Sequence, residues 1–315
     1  MQHLSSTQRH YNSSVVKGYL GGFCAVLFWS LNVIISRYLA NEVPPILINL
    51  MRWVIAGVLL FPFTFNEIRH NLAAVRQSWL LILVLGLLGV TTFNTLIYMA
   101  GASISAIDMA LILSIGPVFI ALFSWIFLHK PITLRQGIGL CIALAGVFVL
   151  LLRGSIANIT EFTFAIGDIY TICASASFAL YSTLLSFKRS TLSSLAFLEL
   201  TILAGIAFMI PFSIEPLQSY SFTTLHTYGI VSIIYMGIFQ SIFAFLWWTH
   251  TLQSLGTIRA GILFYTMPVF SSIAAYFFLN EVLQQSQLLG GAMVLAGVIY
   301  AAIGNRDDVE AEPRP

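Results

Sequence analysis

The sequence predicts an all-α integral membrane protein of ten transmembrane helices, arranged as two inverted five-helix repeats with both termini in the cytoplasm. Three observations carry this: an apolar composition, a one-sided placement of Lys and Arg, and an internal repeat. Of 315 residues, 58% are hydrophobic and only 8% charged, and the mean hydropathy is +0.91. A water-soluble domain carries roughly 25% charged residues. The formal charge of +2, with no basic run, gives no reason to expect nucleic acid or an acidic partner. Cys24, Cys141 and Cys173 all fall in apolar segments. Their spacing suits neither a disulfide framework nor a zinc site, so they read as small packing residues.

Taken in order, residues 1–17 form a polar cytoplasmic segment, and the first apolar stretch then runs from Gly18 to Ser36. That exceeds the roughly 7–15 residues of a signal-peptide core, and no small-x-small cleavage site follows, so it reads as a retained helix. About 20 apolar residues cross the hydrocarbon core. Trimming the apolar stretches at polar turns places helices at 18–40, 46–65, 78–100, 104–128, 133–152, 167–187, 194–214, 228–250, 259–279 and 285–304. An outer linker, 153–166, separates the halves 18–152 and 167–304, and a charged cytoplasmic tail, 305–315, follows. Eleven of the 14 Lys and Arg residues then fall on inner segments, Lys130 and Arg306 among them. Only Arg37 and Arg153 are outside, and Arg52 is within a span. Basic residues favour cytoplasmic loops, which fixes the orientation.

The repeat is read from self-similarity. At an offset of 149, Gly18 matches Gly167, Ala25 matches Ala174, and Pro62-Phe63 matches Pro211-Phe212. From the fourth helix the offset is 151: Pro117-Val118-Phe119 matches Pro268-Val269-Phe270, and Ala145-Gly146-Val147 matches Ala296-Gly297-Val298. Each half has an odd number of helices, so the second enters from the opposite side. Inverted repeats of this kind are characteristic of secondary transporters.

Against this background the chain resembles the drug/metabolite transporter superfamily, EamA type. The resemblance covers roughly residues 18–304. It rests on Phe28-Trp29-Ser30-x-Asn32, Arg52-Trp53, the paired Pro-Val-Phe triplets, and Phe-Leu-x-Glu ending at Glu281. It implies a bacterial inner-membrane carrier that exports small metabolites, with no cofactor. It also implies that helices 1–4 and 6–9 line a cavity while 5 and 10 support packing or a homodimer. One departure stands out: where the family often ends its fourth helix with glutamate, this chain has Lys130.

Candidate residues follow from what lipid makes costly. Pro117 and Pro268 lie mid-span and free the carbonyls of Leu113 and Phe264, so each is a hinge or a static kink. Arg52 is charged within a span, and either faces a wet cavity or serves the scaffold through snorkelling or a structural pair. Glu199 is an acid within a span. It is a candidate for coupling transport to protons, or else a carboxylate reaching the cytoplasmic interface. Substrate-binding candidates are Trp29, Asn32, Asn94, Tyr98, Tyr181, Gln240, Trp248 and Tyr265, with interhelical bonding as the alternative. Trp247 and Trp248 also suit an interfacial belt. A lining of aromatics, amides and hydroxyls, without clustered Lys and Arg, suits a neutral or zwitterionic metabolite such as an amino acid better than a phosphorylated one. An intramembrane enzyme is the alternative class, but His-Glu-x-x-His, Gly-x-Ser-x-Gly and Gly-x-Gly-Asp are absent. A channel would want a charged ring or carbonyl filter, and neither is evident.

Overall fold

A computed structural model describes residues 6–129, 133–152 and 165–303. Lys130, nearly all of the outer linker with Arg153, and the tail with Arg306 lie outside the described residues. Within them the chain is helical, with no strand. The helices are α1 (Ser6–Leu39), α2 (Pro45–His70), α3 (Leu72–Gly101), α4 (Ala106–Leu128), α5 (Leu134–Leu151), α6 (Ile166–Leu185), α7 (Ser194–Ser219) and α8 (Thr227–Leu255). Then α9 runs from Thr257–Ile262 through a 3-10 turn, Leu263–Thr266, into Met267–Leu279, and α10 is Gln285–Ile303. Among the described residues, 7 helices are long and apolar enough to cross a membrane: α1 to α4 and α7 to α9. The apolar part of α5, Gly137–Val149, is shorter.

Helix ends follow local chemistry. Pro45 opens α2, where its missing N–H costs nothing. Ser105 and Ser193 cap α4 and α7 by accepting from the N–H groups of Asp108 and Ala196. Among the helices that outrun the expected ranges, α1 starts at Ser6 and α2 continues to His70. Hydropathy marks the apolar slab, whereas a helix stops only where a breaker intervenes, and neither polar flank contains one.

The repeat is visible in the backbone. Both α3 and α8 carry a π-helical segment, Gly86–Thr92 and Met236–Phe243, at matching places. Both α4 and α9 lose regular geometry just before Pro117 and Pro268, which then sit in the first turn of the segments that resume. Both end on a left-handed residue, His129 (φ 54°) and Asn280 (φ 56°), at the repeat offset. The carbonyl that Pro117 frees, at Leu113, accepts from the Ser175 hydroxyl of α6 at 3.4 Å. The symmetric prolines therefore mark real interruptions, and one released acceptor is met by the other repeat.

Packing crosses between the repeats. Helix α1 lies along α8 and α9, and α6 lies along α3 and α4. Helices α2 and α7 pack on each other, and each also meets the other repeat's π segment. A Cβ on Gly86 would stand 2.8 Å from the Thr201 carbonyl of α7. One on the matching Gly237 would stand 2.7 Å from Ile55 of α2. Helices α5 and α10 pair with each other, with Gly146 against the Gly290 carbonyl and Gly297 against that of Gly139. Small residues let these backbones meet, as is usual inside membranes. Outward-facing apolar groups such as Phe63 and its counterpart Phe212 are exposed, as a lipid-facing surface requires.

Candidate functional site

Where the repeats meet, the chain buries a polar cluster beside an aromatic one. Arg52 is 0% exposed. Its Nε donates to Ser241 Oγ at 2.8 Å. Its Nη1 donates to Tyr98 OH at 2.5 Å, Asn94 Oδ1 at 2.9 Å and Asn32 Oδ1 at 3.4 Å. Tyr98 in turn donates to Asn32 Oδ1 at 3.0 Å. The guanidinium carbon lies 4.9 Å from the centre of the Trp53 ring, a cation–π contact. Arg52 therefore joins α1, α2 and α3 of one repeat to α8 of the other.

The π segments hold this arrangement. The wider π turns run on i→i+5 bonds, and polar side chains five residues on also bond their carbonyls. Asn94 Nδ2 donates to Gly89 O at 2.8 Å, and Ser241 Oγ donates to Met236 O at 2.9 Å. With Asn94 and Ser241 so oriented, both present oxygens to Arg52. Among the described residues no carboxylate lies within 4.0 Å of Arg52, and its Nη2 has no hydrogen-bond partner. The Gln240 side-chain amide, next to Ser241 in the chain, is also buried, with the Tyr235 hydroxyl near it and no hydrogen bond of full geometry on either polar atom.

The aromatic cluster lies at the pseudo-twofold axis. Trp29 and Phe178 are repeat equivalents, and their rings meet edge to face at 5.1 Å. Phe245, Trp248 and Phe264 each contact both of them. Trp29 also donates from Nε1 to the Gln240 carbonyl at 3.2 Å, which ties the two clusters together. Trp248 Nε1 donates to Ser182 Oγ at 3.1 Å. Tyr181 packs on Phe178 and Phe245, and Tyr265 is buried in the 3-10 turn.

Set beside the expected residues, the structure brings Asn32, Arg52, Asn94 and Tyr98 into one network, with Trp29 and Gln240 adjoining. Arg52 neither snorkels nor pairs with helix-terminal carbonyls; its partners are side chains. Trp248 is wholly buried, which rules out a belt position, while Trp247 is half-buried and stacks on Phe28 at 5.6 Å. Glu199 is 0% exposed on α7, facing Gly57 of α2, and neither carboxylate oxygen has a hydrogen-bond partner. It does not belong to the Arg52 network. Cys141 and Cys173 are exposed, so they face outward instead of packing inside. Sequence reasoning missed Ser241, Phe178, Phe245 and Phe264. Phe178 had a signal, its offset of 149 from Trp29, and Phe245 had one in its offset of 151 from Asn94.

Both ends of the molecule are tied across the repeats. At one end, Glu281, which follows α9, accepts from the Ala106 and Ile107 N–H groups of α4 at 3.1 and 3.2 Å. It also lies 3.9 Å from Arg37, which donates to Gly101 O. At the other end of α2, Glu67 accepts from the Ser193 N–H and hydroxyl of the second repeat at 2.6 and 2.7 Å.

Apolar helices, duplicated backbone interruptions and a sealed polar joint between repeats define a multi-pass membrane protein of the transporter kind. The sequence pattern of the EamA-like transporter family matches residues 16–152 and again 165–303. The chain therefore belongs to the EamA-like transporter family, within the drug/metabolite transporter superfamily, and is not an enzyme. An uncharacterized transporter of Archaeoglobus fulgidus is 29% identical, over 89% of this chain and 96% of its own. Another, YyaM of Bacillus subtilis, is 25% identical, over 78% and 80%. A relative from Streptantibioticus cattleyicolor, named a probable terminal-alkyne amino-acid exporter, is 24% identical, over 86% and 91%. A solved crystal structure covers 94% of this chain and 98% of its own with a TM-score of 0.64 at 19% identity, a likeness of fold.

Proposed function

We propose that this protein is a secondary carrier in the bacterial cytoplasmic membrane. Ten spanning helices, both termini inside, move a small neutral or zwitterionic metabolite such as an amino acid outward by alternating access. The observation that carries this is the crossed packing: α1 on α8 and α9, and α6 on α3 and α4. With each repeat holding the other's third and fourth helices, exchanging the shapes of the repeats turns an opening on one side into an opening on the other. The interruptions before Pro117 and Pro268 give both repeats a place to bend. The amino-acid reading draws support from the aromatic and amide lining and from the Streptantibioticus relative's name.

Protons are the proposed coupling ion, with Glu199 as their carrier. A buried charge without a partner is costly, and a proton on the carboxyl removes the charge. Reconstitution into liposomes tests the main reading. Saturable uptake accelerated by substrate on the far side is expected, and a steady conductance without such counterflow would overturn it. Glu199→Gln is expected to keep counterflow while losing the response to a pH gradient; an unchanged response would remove Glu199 from the mechanism.

A further inference from the structure

We propose that the free edge of Arg52 seats a carboxylate of the carried solute, with the Gln240 amide taking a neighbouring polar group such as an ammonium. This rests on the carrier reading above and narrows its substrate to small carboxylic acids and amino acids with an apolar body.

The argument begins with charge. A guanidinium removed from water costs several kcal/mol unless a counter-charge repays it. Arg52 is wholly buried, yet every hydrogen-bond partner it has is neutral. A guanidinium has five donors in a planar fork that matches a carboxylate. Nε and Nη1 are engaged here and Nη2 is not. The Nη1 contact with Asn32 is the longest at 3.4 Å, near the limit for a hydrogen bond. A carboxylate spanning Nη1 and Nη2 would replace that weakest bond and supply the missing charge.

A scaffold role alone does not account for the cation. The repeat equivalent of Arg52 is Thr201, whose hydroxyl bonds only to the Phe197 carbonyl in its own helix, at 2.6 Å. The second repeat therefore builds the matching position without a cation.

The surroundings fit the rest of such a solute. Gln240 adjoins Ser241, the partner of Arg52 Nε, and its amide includes an acceptor suited to an ammonium. The Gln240 carbonyl is held by Trp29, which opens the aromatic cluster where an apolar body can pack. Arg52 and Ser241 belong to different repeats, so a ligand bound at their junction senses how the repeats sit.

The test is a thermal-shift titration of the purified full-length protein in detergent, using the standard amino acids, their carboxamides and their des-amino acids. At least one amino acid is expected to bind about tenfold or more tightly than its carboxamide, the loss of one charge-assisted contact. Arg52→Gln is expected to erase that preference, Arg52→Lys to weaken it. Gln240→Leu should weaken amino acids but spare des-amino acids. If Arg52→Gln does not fold, the wild-type series decides alone, and no acid preferred over its amide overturns the proposal. Counterflow of a solute lacking a carboxylate, unchanged in Arg52→Gln, would also overturn it while leaving the carrier reading intact. Absence of any saturable flux would sink the carrier reading instead, even where acid binds over amide.

Discussion

The Arg52 junction and its counterpart across the pseudo-twofold axis occupy the same place in two copies of one fold, yet they have different chemistry. In the first repeat the positions are Asn32, Arg52, Asn94 and Tyr98; in the second they are Tyr181, Thr201, Phe245 and Thr249, the offset of 151 already holding along α3 and α8, as the equivalent packing of Gly86 and Gly237 shows. The first set makes a hydrogen-bonded network around a cation, whereas Tyr181 and Phe245 join the aromatic cluster. The backbone devices, in contrast, are kept in both copies: π segments, breaks before proline, left-handed helix ends. What is duplicated serves the fold and, in the proposed cycle, movement. What differs gives the site a polar pole and an apolar pole, and so an orientation for its ligand.

That division can be broken from either side. The largest structural effect is expected at the duplicated glycines. Gly86→Ala places a Cβ within 2.8 Å of the Thr201 carbonyl, and Gly237→Ala one within 3.0 Å of that of Arg52. Backbone cannot yield as a side chain can, so each should cost about 1–3 kcal/mol. Melting temperature and expression should fall together, and an unchanged melting point for either would contradict the packing. Next come the unlike positions. Arg52→Gln should abolish most transport, while Thr201→Val, which loses one bond within its own helix, should leave flux near wild type. Equal loss in both would erase the distinction between the poles.

Smaller effects are expected at the ends. Glu281→Gln and Glu67→Gln each keep an acceptor but remove its charge, which should cost about 1 kcal/mol, the difference between a charge-assisted and a neutral hydrogen bond. Each should bias the carrier toward opening at the affected end, read as faster cysteine labelling of cavity positions from that side only. Labelling enhanced from both sides by a single variant would contradict the assignment. The smallest effect is a control: Gly137→Ala, where a Cβ meets nothing within 4 Å, should stabilise by about 0.5–1 kcal/mol through helix propensity.

Much of this was legible beforehand because lipid makes its demands through residue type. A charge in an apolar run, paired prolines, and amides or hydroxyls within a span are all one-dimensional signals, and Arg52, Pro117 with Pro268, Asn32, Asn94 and Tyr98 came from them. The π segments were not legible, because no residue type or spacing along the chain marks an i→i+5 turn. Asn94 on Gly89 and Ser241 on Met236 are choices made by packing. Trp248 misled through its place near a helix end: distance from a terminus says nothing about which way a ring faces. The ties at Glu281 and Glu67 reach across 175 and 126 residues, and no local pattern encodes such partners.

Those two ties have a consequence for the membrane itself. A carrier that opened at both ends at once would be a hole, and would dissipate the gradients the cell maintains. Here each end is fastened by its own carboxylate to the N-terminal turn of the other repeat's helix, with no group shared between the fastenings. Parting one end leaves the other in place. In the proposed cycle a through-path requires both to part at once, and the barrier function of the bilayer survives each turnover as long as one holds.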